Sequence, residues 1–365
     1  TALRADKAKE GHRSCIGCFA GCTLRRLIES PMICFVEKLH RHAALIALAV
    51  GSACLWPATA SRAQDSYPSR PIQVIVTTAA GGALDLVART TTDRLAEALG
   101  QPMIVDNQPA GNGTVAAGQF VKATPDGHTL MMVVDSTVTI NPHLYKNVAY
   151  DPFRDFAPVS LITRLPLVLV GNPALPSKDL RELIAYAKAN PGKLNYASTG
   201  VGTQLHIGME LFKLRSGTDI VHVPYRATTG AIADLLGGRI DLVLIGLSSA
   251  KTYVESGQLR AYAVASPQRS ALLPNVPTME EAGLPGAEVQ SWFGMYAPAK
   301  TPPAIVTRLS QEIKKASTDP KFVAALTPQG MQIIASTPDQ MLKAMREDSG
   351  KWGDVIRDTG TTINQ

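Results

Sequence analysis

Beyond residue 63 this 365-residue chain has no cysteine: Cys15, Cys18, Cys22, Cys34 and Cys54 all precede Ala63. Residues 64–365 therefore cannot use disulfides, thiol catalysis or cysteine-ligated iron–sulfur clusters. The same stretch has almost no excess of either charge. It holds 27 basic and 26 acidic residues, a net of +1, against +6 for the whole chain. The sequence pI near 9.0 is thus largely set by residues 1–63, and it is no argument for a nucleic-acid partner. No apolar run after residue 63 is long enough to span a bilayer.

The first 63 residues have a composition of their own. Residues 42–56 read HAALIALAVGSACLW, preceded by Lys38 and Arg41 and followed by PATASRA. A basic start, a short apolar run and small residues before a polar segment are the anatomy of a secretory signal peptide. Ser61 and Ala63 place cleavage after Ala63, with cleavage after Ala60 as the alternative. Met32 opens a suitable start for that peptide. Residues 1–31 then read as a spurious N-terminal extension, residues 32–63 as the signal peptide, and the chain as exported to the periplasm. Cys15, Cys18 and Cys22 lack the second C-x-x-C or His pair that would complete a zinc site. Cys54 follows Gly51-Ser52-Ala53, without the large apolar residue expected before a lipidated cysteine.

What remains is long enough for about two domains of ~150 residues. Short β-branched runs alternate with amphipathic helices. Strands are expected at 72–76, 103–106, 129–134, 159–163, 167–170, 194–197, 220–223, 242–245 and 261–265. Helices are expected at 84–99, 113–123, 178–190 (N-capped by Ser177), 204–216, 229–236, 250–256, 304–318, 320–329 and 338–359. Such alternation predicts an α/β fold with mostly parallel sheets. In open α/β sheets, ligands lie outside the carboxyl ends of the strands.

The segments at those ends are AAGGALD (79–85), NQPAGNGT (107–114), DSTVT (135–139), STGVGT (198–203), RATT (226–229) and GLSS (246–249). They are small, glycine-rich or hydroxylic, and nearly uncharged; Arg226 is the main exception. The Walker lysine is missing, and so is a G-x-G-x-x-G after the first strand. Ser136 and Ser198 lack the G-x-S-x-G setting of a hydrolase nucleophile. His206 and Glu210 share a helix face, either as a metal or acid–base pair or as a packed histidine with a polar partner; the second is favoured. His128, His143 and His222 show no ligand spacing. Asp85 is a candidate catalytic acid, but better placed to cap or orient the glycine loop. Recognition by backbone is left: N–H groups at several helix starts, aimed into one cleft, can hold a carboxylate. Such a site needs no metal and no cofactor, and no catalytic residue is assigned.

From about Tyr67 to Gly360 the chain resembles the substrate-binding proteins of tripartite tricarboxylate transporters, the Bug-type periplasmic receptors. The resemblance is carried by YPSRPIQVIV (67–76), GGALDLVART (81–90), GQPMIVDNQPAGNGT (100–114), PDGHTL (125–130), NPHLY (141–145) and YDPFRDFAPVSLI (150–162). It continues through ELIAYAKANPGKLNYASTGVGT (182–203), HVPYRATTGAIADLLGGRIDL (222–242) and LPNVPTMEEAGLPG (273–286). It implies a two-lobed periplasmic-binding-protein fold of the type II-like, Venus-flytrap kind, with the ligand in the interdomain cleft. One lobe would comprise 64–166 plus 293–365 and the other 167–292, with crossing strands near Leu165–Val170 and Trp292–Tyr296.

Carried onto this chain, the binding loops implied are Ala80, Gly81, Gly82 and Asp85 facing Ser198, Thr199, Gly200 and Thr203. The walls implied are Gly111, Asn112, Gly113, Ser136, Thr137, Arg226, Ala227, Thr228 and Gly246. The implied partners are a small carboxylate and transporter membrane subunits, with no nucleic acid and a monomeric receptor. Signalling through a sensor kinase is an alternative to transport, and an α/β hydrolytic enzyme a further one. Three departures from the family pattern stand out. Ala79-Ala80 replace two prolines, Ala227 replaces a glycine, and Ile245-Gly246 replace Phe-Asp. Together they imply a roomier, less charged pocket, favouring a dicarboxylate or an aromatic acid.

Overall fold

The β-branched run Ile72–Val76 forms strand β1, buried between two neighbours in a computed structural model that describes residues 67–363. The signal peptide, the extension, its cysteines and the cleavage site lie outside the described residues. Helix α1 (Ala83–Leu99) follows. Its Leu84, Val87, Ala88, Thr91 and Leu95 repeat at three- and four-residue steps and are buried on one face. It stops at Gly100, whose φ of 70° is left-handed. Next come β2 (Met103–Asn107), a 3-10 turn (Ala110–Gly113), α2 (Thr114–Phe120), β3 (Thr129–Val134), α3 (Asp135–Thr139), α4 (Asn141–Leu144) and the long strand β4 (Phe156–Gly171).

The second half continues with α5 (Leu180–Ala189), β5 (Asn195–Ser198), α6 (Gln204–Ser216), β6 (Val221–Pro224), α7 (Thr228–Leu236), β7 (Leu242–Gly246), α8 (Leu247–Glu255) and β8 (Arg260–Val264). The chain then returns through β9 (Gln290–Pro298) and ends with α9 (Pro303–Ala316), α10 (Pro320–Leu326), β10 (Gln332–Ile333) and α11 (Pro338–Thr359). The strand order is β2-β1-β3-β9-β4-β7-β5-β6, with β8 and β10 also paired to β4. Each end of this order is a parallel triplet: β2-β1-β3 at one end, β6-β5-β7 at the other. Between them β9 and β4 run antiparallel to each other, β9 antiparallel to β3 and β4 antiparallel to β7. Helices cover both faces of each half, giving four apolar clusters.

Several sequence expectations change here. The two short strands expected at 159–163 and 167–170 are one strand, β4. Pro166 lies where β4 stops pairing with β9, at Gln290, and Leu167 begins pairing with β7, at Gly246. A proline's missing N–H is tolerated at such a changeover. DSTVT (135–139), expected as loop, is a short helix of residues at most 2% exposed; packing outweighs its weak helix propensity. Ser177 does not cap α5. Asp179 does, accepting from the Glu182 N–H, while Ser177 bonds the Tyr262 hydroxyl. The expected helix at 250–256 begins at Leu247, and the one at 113–123 is α2 preceded by a 3-10 turn.

Helix α11 belongs to both halves. Its Met341 and Met345 pack with Phe120, Trp292 and Tyr296; its Trp352, Val355 and Ile356 pack with Ile207, Leu211 and Leu244. A capping box at Thr337 and Gln340 fixes its start. Trp352 is 2% exposed. Trp352→Ala should lower the unfolding free energy by about 3–5 kcal/mol, measurable by denaturant titration; a loss under about 1 kcal/mol would mean that the helix is not anchored to the second half.

Candidate ligand-binding site

The first glycine loop leaves β1 at Val76 and turns through Ala79–Gly82. Gly81 has φ 83°, a left-handed value that glycine adopts without strain. Gly82 is the N-cap of α1 and makes no side-chain capping bond. Asp85 braces the turn from within the helix. Its Oδ2 accepts from the Gly81 N–H at 2.9 Å and from Arg89 Nε at 3.0 Å, and its Oδ1 accepts from Asn107 Nδ2 at 2.9 Å. Burial opposes its ionisation, but the bonds from Arg89, Gly81 and Asn107 outweigh it and hold the carboxyl below its ordinary pKa. Both oxygens are thus engaged by the chain itself. Asp85 orients the loop.

The second loop leaves β5 at Ser198. Gly200 (φ 126°) and Gly202 (φ 80°) carry the turn. Ser198 Oγ accepts from the Gly200 N–H at 3.1 Å and donates to the Gly200 carbonyl at 3.0 Å. Thr203 Oγ1 donates to the same carbonyl at 2.9 Å and caps α6 by accepting from the His206 N–H at 3.4 Å. A β-carbon on Gly202 would stand 2.5 Å from Leu144 Cδ2, so only glycine fits against α4.

The walls converge from other strand ends. Gly113 (φ 83°) wedges between Thr77 and Thr137; a β-carbon there would lie 2.7 Å from Thr137 Oγ1. Ser136 and Thr137 are buried at the start of α3. Gly111 is exposed at the tip of the 3-10 turn. Asn112 beside it reaches across to the second loop, donating from Nδ2 to the Gly202 carbonyl at 3.1 Å. Ala227 and Gly246 are the N-caps of α7 and α8, neither with a side-chain bond, and Thr228 opens α7. Arg226 is exposed just before α7, and no ion pair engages it among the described residues.

Helices α1, α2, α3, α7 and α8, each following a strand, all start without a side-chain cap. Of the other described helices, α5, α6, α10 and α11 are capped by Asp179, Thr203, Asp319 and Thr337, while α4 and α9 also start uncapped. At α1, α7 and α8 no side chain accepts from the first backbone N–H groups. Three further groups, absent from the sequence-based set, flank the loops: the hydroxyls of Thr77 and Thr78, and both amide atoms of Gln204, are buried without a protein partner. No motif marks them; their position directly after β1 and directly after Thr203 is the signal available in the sequence.

His206 and Glu210 form no metal site. Among the described residues no cluster of three or more His, Cys, Asp or Glu could hold a metal ion. Glu210 accepts from the Tyr196 hydroxyl at 2.6 Å and pairs with Lys213 at 2.9 Å. His206 stacks on His222 with ring centroids 4.0 Å apart, and His222 stacks on Tyr196 at 4.9 Å. The histidine pair holds the second loop. His206 Nδ1 accepts from the Gly202 N–H at 3.2 Å, and His222 Nε2 lies 2.7 Å from Ser198 Oγ. Ser198 is 1% exposed and tied to its own loop, so this Ser–His contact is structural.

A family profile described as the tripartite tricarboxylate transporter family receptor matches residues 87–361. The chain belongs to this receptor family. The periplasmic binding protein BugD is 31% identical, with TM-score 0.72 over 82% of this chain and 100% of BugD. The R. palustris protein Rpa4515, solved with adipate, is 32% identical, with TM-score 0.74 over 81% of this chain and 99% of its own. MatC from Rhodopseudomonas palustris, solved with bound malate, is 33% identical, with TM-score 0.71 over 80% of this chain and 100% of its own. The receptor thus has the two-lobed α/β fold of these periplasmic binding proteins. It is a binding protein, not an enzyme.

The histidine pair gives the receptor a pH signature. Burial pushes both imidazoles down to about 4; for His222 the neighbouring His206 adds to the effect, Glu210 opposes it for both, and Lys213 reinforces it. An unfolded histidine titrates near 6.5. Stability from the neutral pair is therefore fully present above pH ~6.5 and is lost as the pH falls from there through about 4. The melting temperature should decline across this window, and His222→Gln should flatten the decline. An unchanged slope in the variant would remove the pair from the account.

Proposed function

We propose that this receptor captures a small organic carboxylate in the periplasm and delivers it to a tripartite tricarboxylate-type membrane transporter. A dicarboxylate or an aromatic acid is the favoured cargo. The reading rests above all on the uncapped helix starts that face the strand ends, with little side-chain charge beside them. Backbone N–H groups at a helix start attract an anion through both hydrogen bonding and the helix dipole. A carboxylate held this way can leave again, because no full countercharge is buried with it.

The proposed clamp has Ala80, Gly81 and Gly82 on one side and Ser198, Thr199, Gly200 and Thr203 on the other. Gly111, Gly113, Ser136, Thr137, Arg226, Ala227, Thr228 and Gly246 line the approach, and Thr77, Thr78 and Gln204 add short polar groups. The two lobes are proposed as 64–166 with 293–365, and 167–292, closing by rotation about β4 and β9. Support for a dicarboxylate comes from the relatives solved with adipate and with malate. It comes also from Gly246, which leaves no acidic side chain at the start of α8 to repel a second carboxylate.

A thermal-shift panel on residues 64–365 tests the reading. Ligand at ~100 times its Kd raises stability by about 2.7 kcal/mol. Adipate, malate and an aromatic acid should raise the melting temperature, and the corresponding amides should not. Gly81→Val and Gly200→Val should each abolish the shift, since both positions hold left-handed φ with open space around them. No shift with any carboxylate would refute the proposal; a shift retained in both variants would mean that the clamp lies elsewhere.

A further inference from the structure

Asn112 has both hydrogens of its side-chain nitrogen committed within the protein. It follows Gly111 (φ 60°) and itself adopts φ 50°, ψ 36°, a left-handed conformation open to asparagine because its short side chain bonds locally. Its amide nitrogen carries two hydrogens, and both are used. One goes to Asn141 Oδ1 at 2.9 Å, the other to the Gly202 carbonyl at 3.1 Å. Its backbone carbonyl accepts from Asn141 Nδ2 at 2.9 Å and from Thr137 Oγ1 at 3.4 Å. Asn141 is fully buried, and the neighbouring Tyr150 hydroxyl donates to the Thr137 carbonyl at 2.6 Å. The side chain is therefore mounted rigidly from beneath, with one hydrogen aimed at the opposite loop.

The target is equally well held. The Gly202 peptide receives Asn112 on its carbonyl side, while its own N–H donates to His206 Nδ1. Asn112 follows β2, in the triplet that contains β1; Gly202 follows β5, in the other triplet. This hydrogen bond thus joins the turn after β2 to the second glycine loop, across the space between the two triplets.

We propose that Asn112 is a latch: a positioning residue that holds the turn after β2 and the second glycine loop at closed spacing, so that it sets affinity through the closed population. The proposal deepens the carboxylate reading and rests on the ligand lying between these loops. A receptor whose competent state is partly populated binds more weakly by that fraction, and breaking the latch lowers the fraction.

The test uses Asn112→Gly, which keeps the left-handed backbone, and Asn112→Asp, which tolerates it but has no donor for Gly202. Because residues 64–365 hold no cysteine, Glu97→Cys and Glu255→Cys can carry two labels without background. Their side chains are 65% and 55% exposed, on α1 and α8. Inter-label distances are measured without ligand, and adipate dissociation is followed by stopped flow. Loss of the bond to Gly202 predicts roughly 3- to 10-fold faster dissociation in Asn112→Gly. It also predicts a smaller short-distance population, with Asn112→Asp more affected in both respects; the unfolding midpoint falls in both variants, because buried Asn141 Oδ1 loses its donor. Unchanged distances and dissociation in both variants would overturn the latch, as would a fall in unfolding midpoint that accounts for the whole effect. If the parent chain binds neither adipate nor malate, the carboxylate reading fails while the distance measurement still decides the latch.

Discussion

An α-helix cannot satisfy its first N–H groups from within. Four described helices in this receptor spend a side chain on the problem, as Asp179, Thr203, Asp319 and Thr337 do. Those that leave the strand ends mostly do not. Gly82, Gly113, Ala227 and Gly246 stand where a serine or aspartate would cap, and none has a side chain able to accept those bonds. That leaves backbone donors where the strand ends of the two triplets approach each other, beside residues 163–167 of β4. The proposed function depends on it: a binder that uses main-chain dipoles can be selective for an anion and still release it.

The sheet brings these ends together through β4 and β9. Each parallel triplet would present its own strand ends separately. The antiparallel pair between them ties one triplet to the other and leaves two connections to flex. Helix α11 adds a third tie, since its two ends are packed into different cores. The loops are then tuned from behind by side chains that are not themselves positioned as ligand donors. Asp85 fixes the first, the stacked His206 and His222 fix the second, and Asn112 ties the second to the turn after β2.

Much of this was legible in the chain. The β-branched runs at 72–76 and 129–134 and the glycines at 100 and 237 mark real element ends. The ordered motif blocks lead to the family that the comparisons establish. Asp85 was legible as a brace because an acid in the first turn after a glycine pair has few other uses. What was not legible depends on distance in the chain. Ser198 meets His222 across 24 positions, Asn112 meets Gly202 across 90, and Asn107 meets Asp85 across 22. No local spacing encodes such contacts. Strands 159–163 and 167–170 are joined for a different reason: Pro166 lies between them, and a strand carries a proline in its interior where it is changing partners. DSTVT misled because polar residues propose a loop, and only burial makes them a helix.

The central claim is that one ligand is held by the backbone of both glycine loops at once. Amide chemical shifts report this directly. When residues 64–365, isotopically labelled, are titrated with adipate, the amide resonances of residues 81–85 and 199–204 should move together along one binding curve. If one loop responds and the other stays unperturbed, or if the shifts gather at side chains far from both, the clamp does not exist as described.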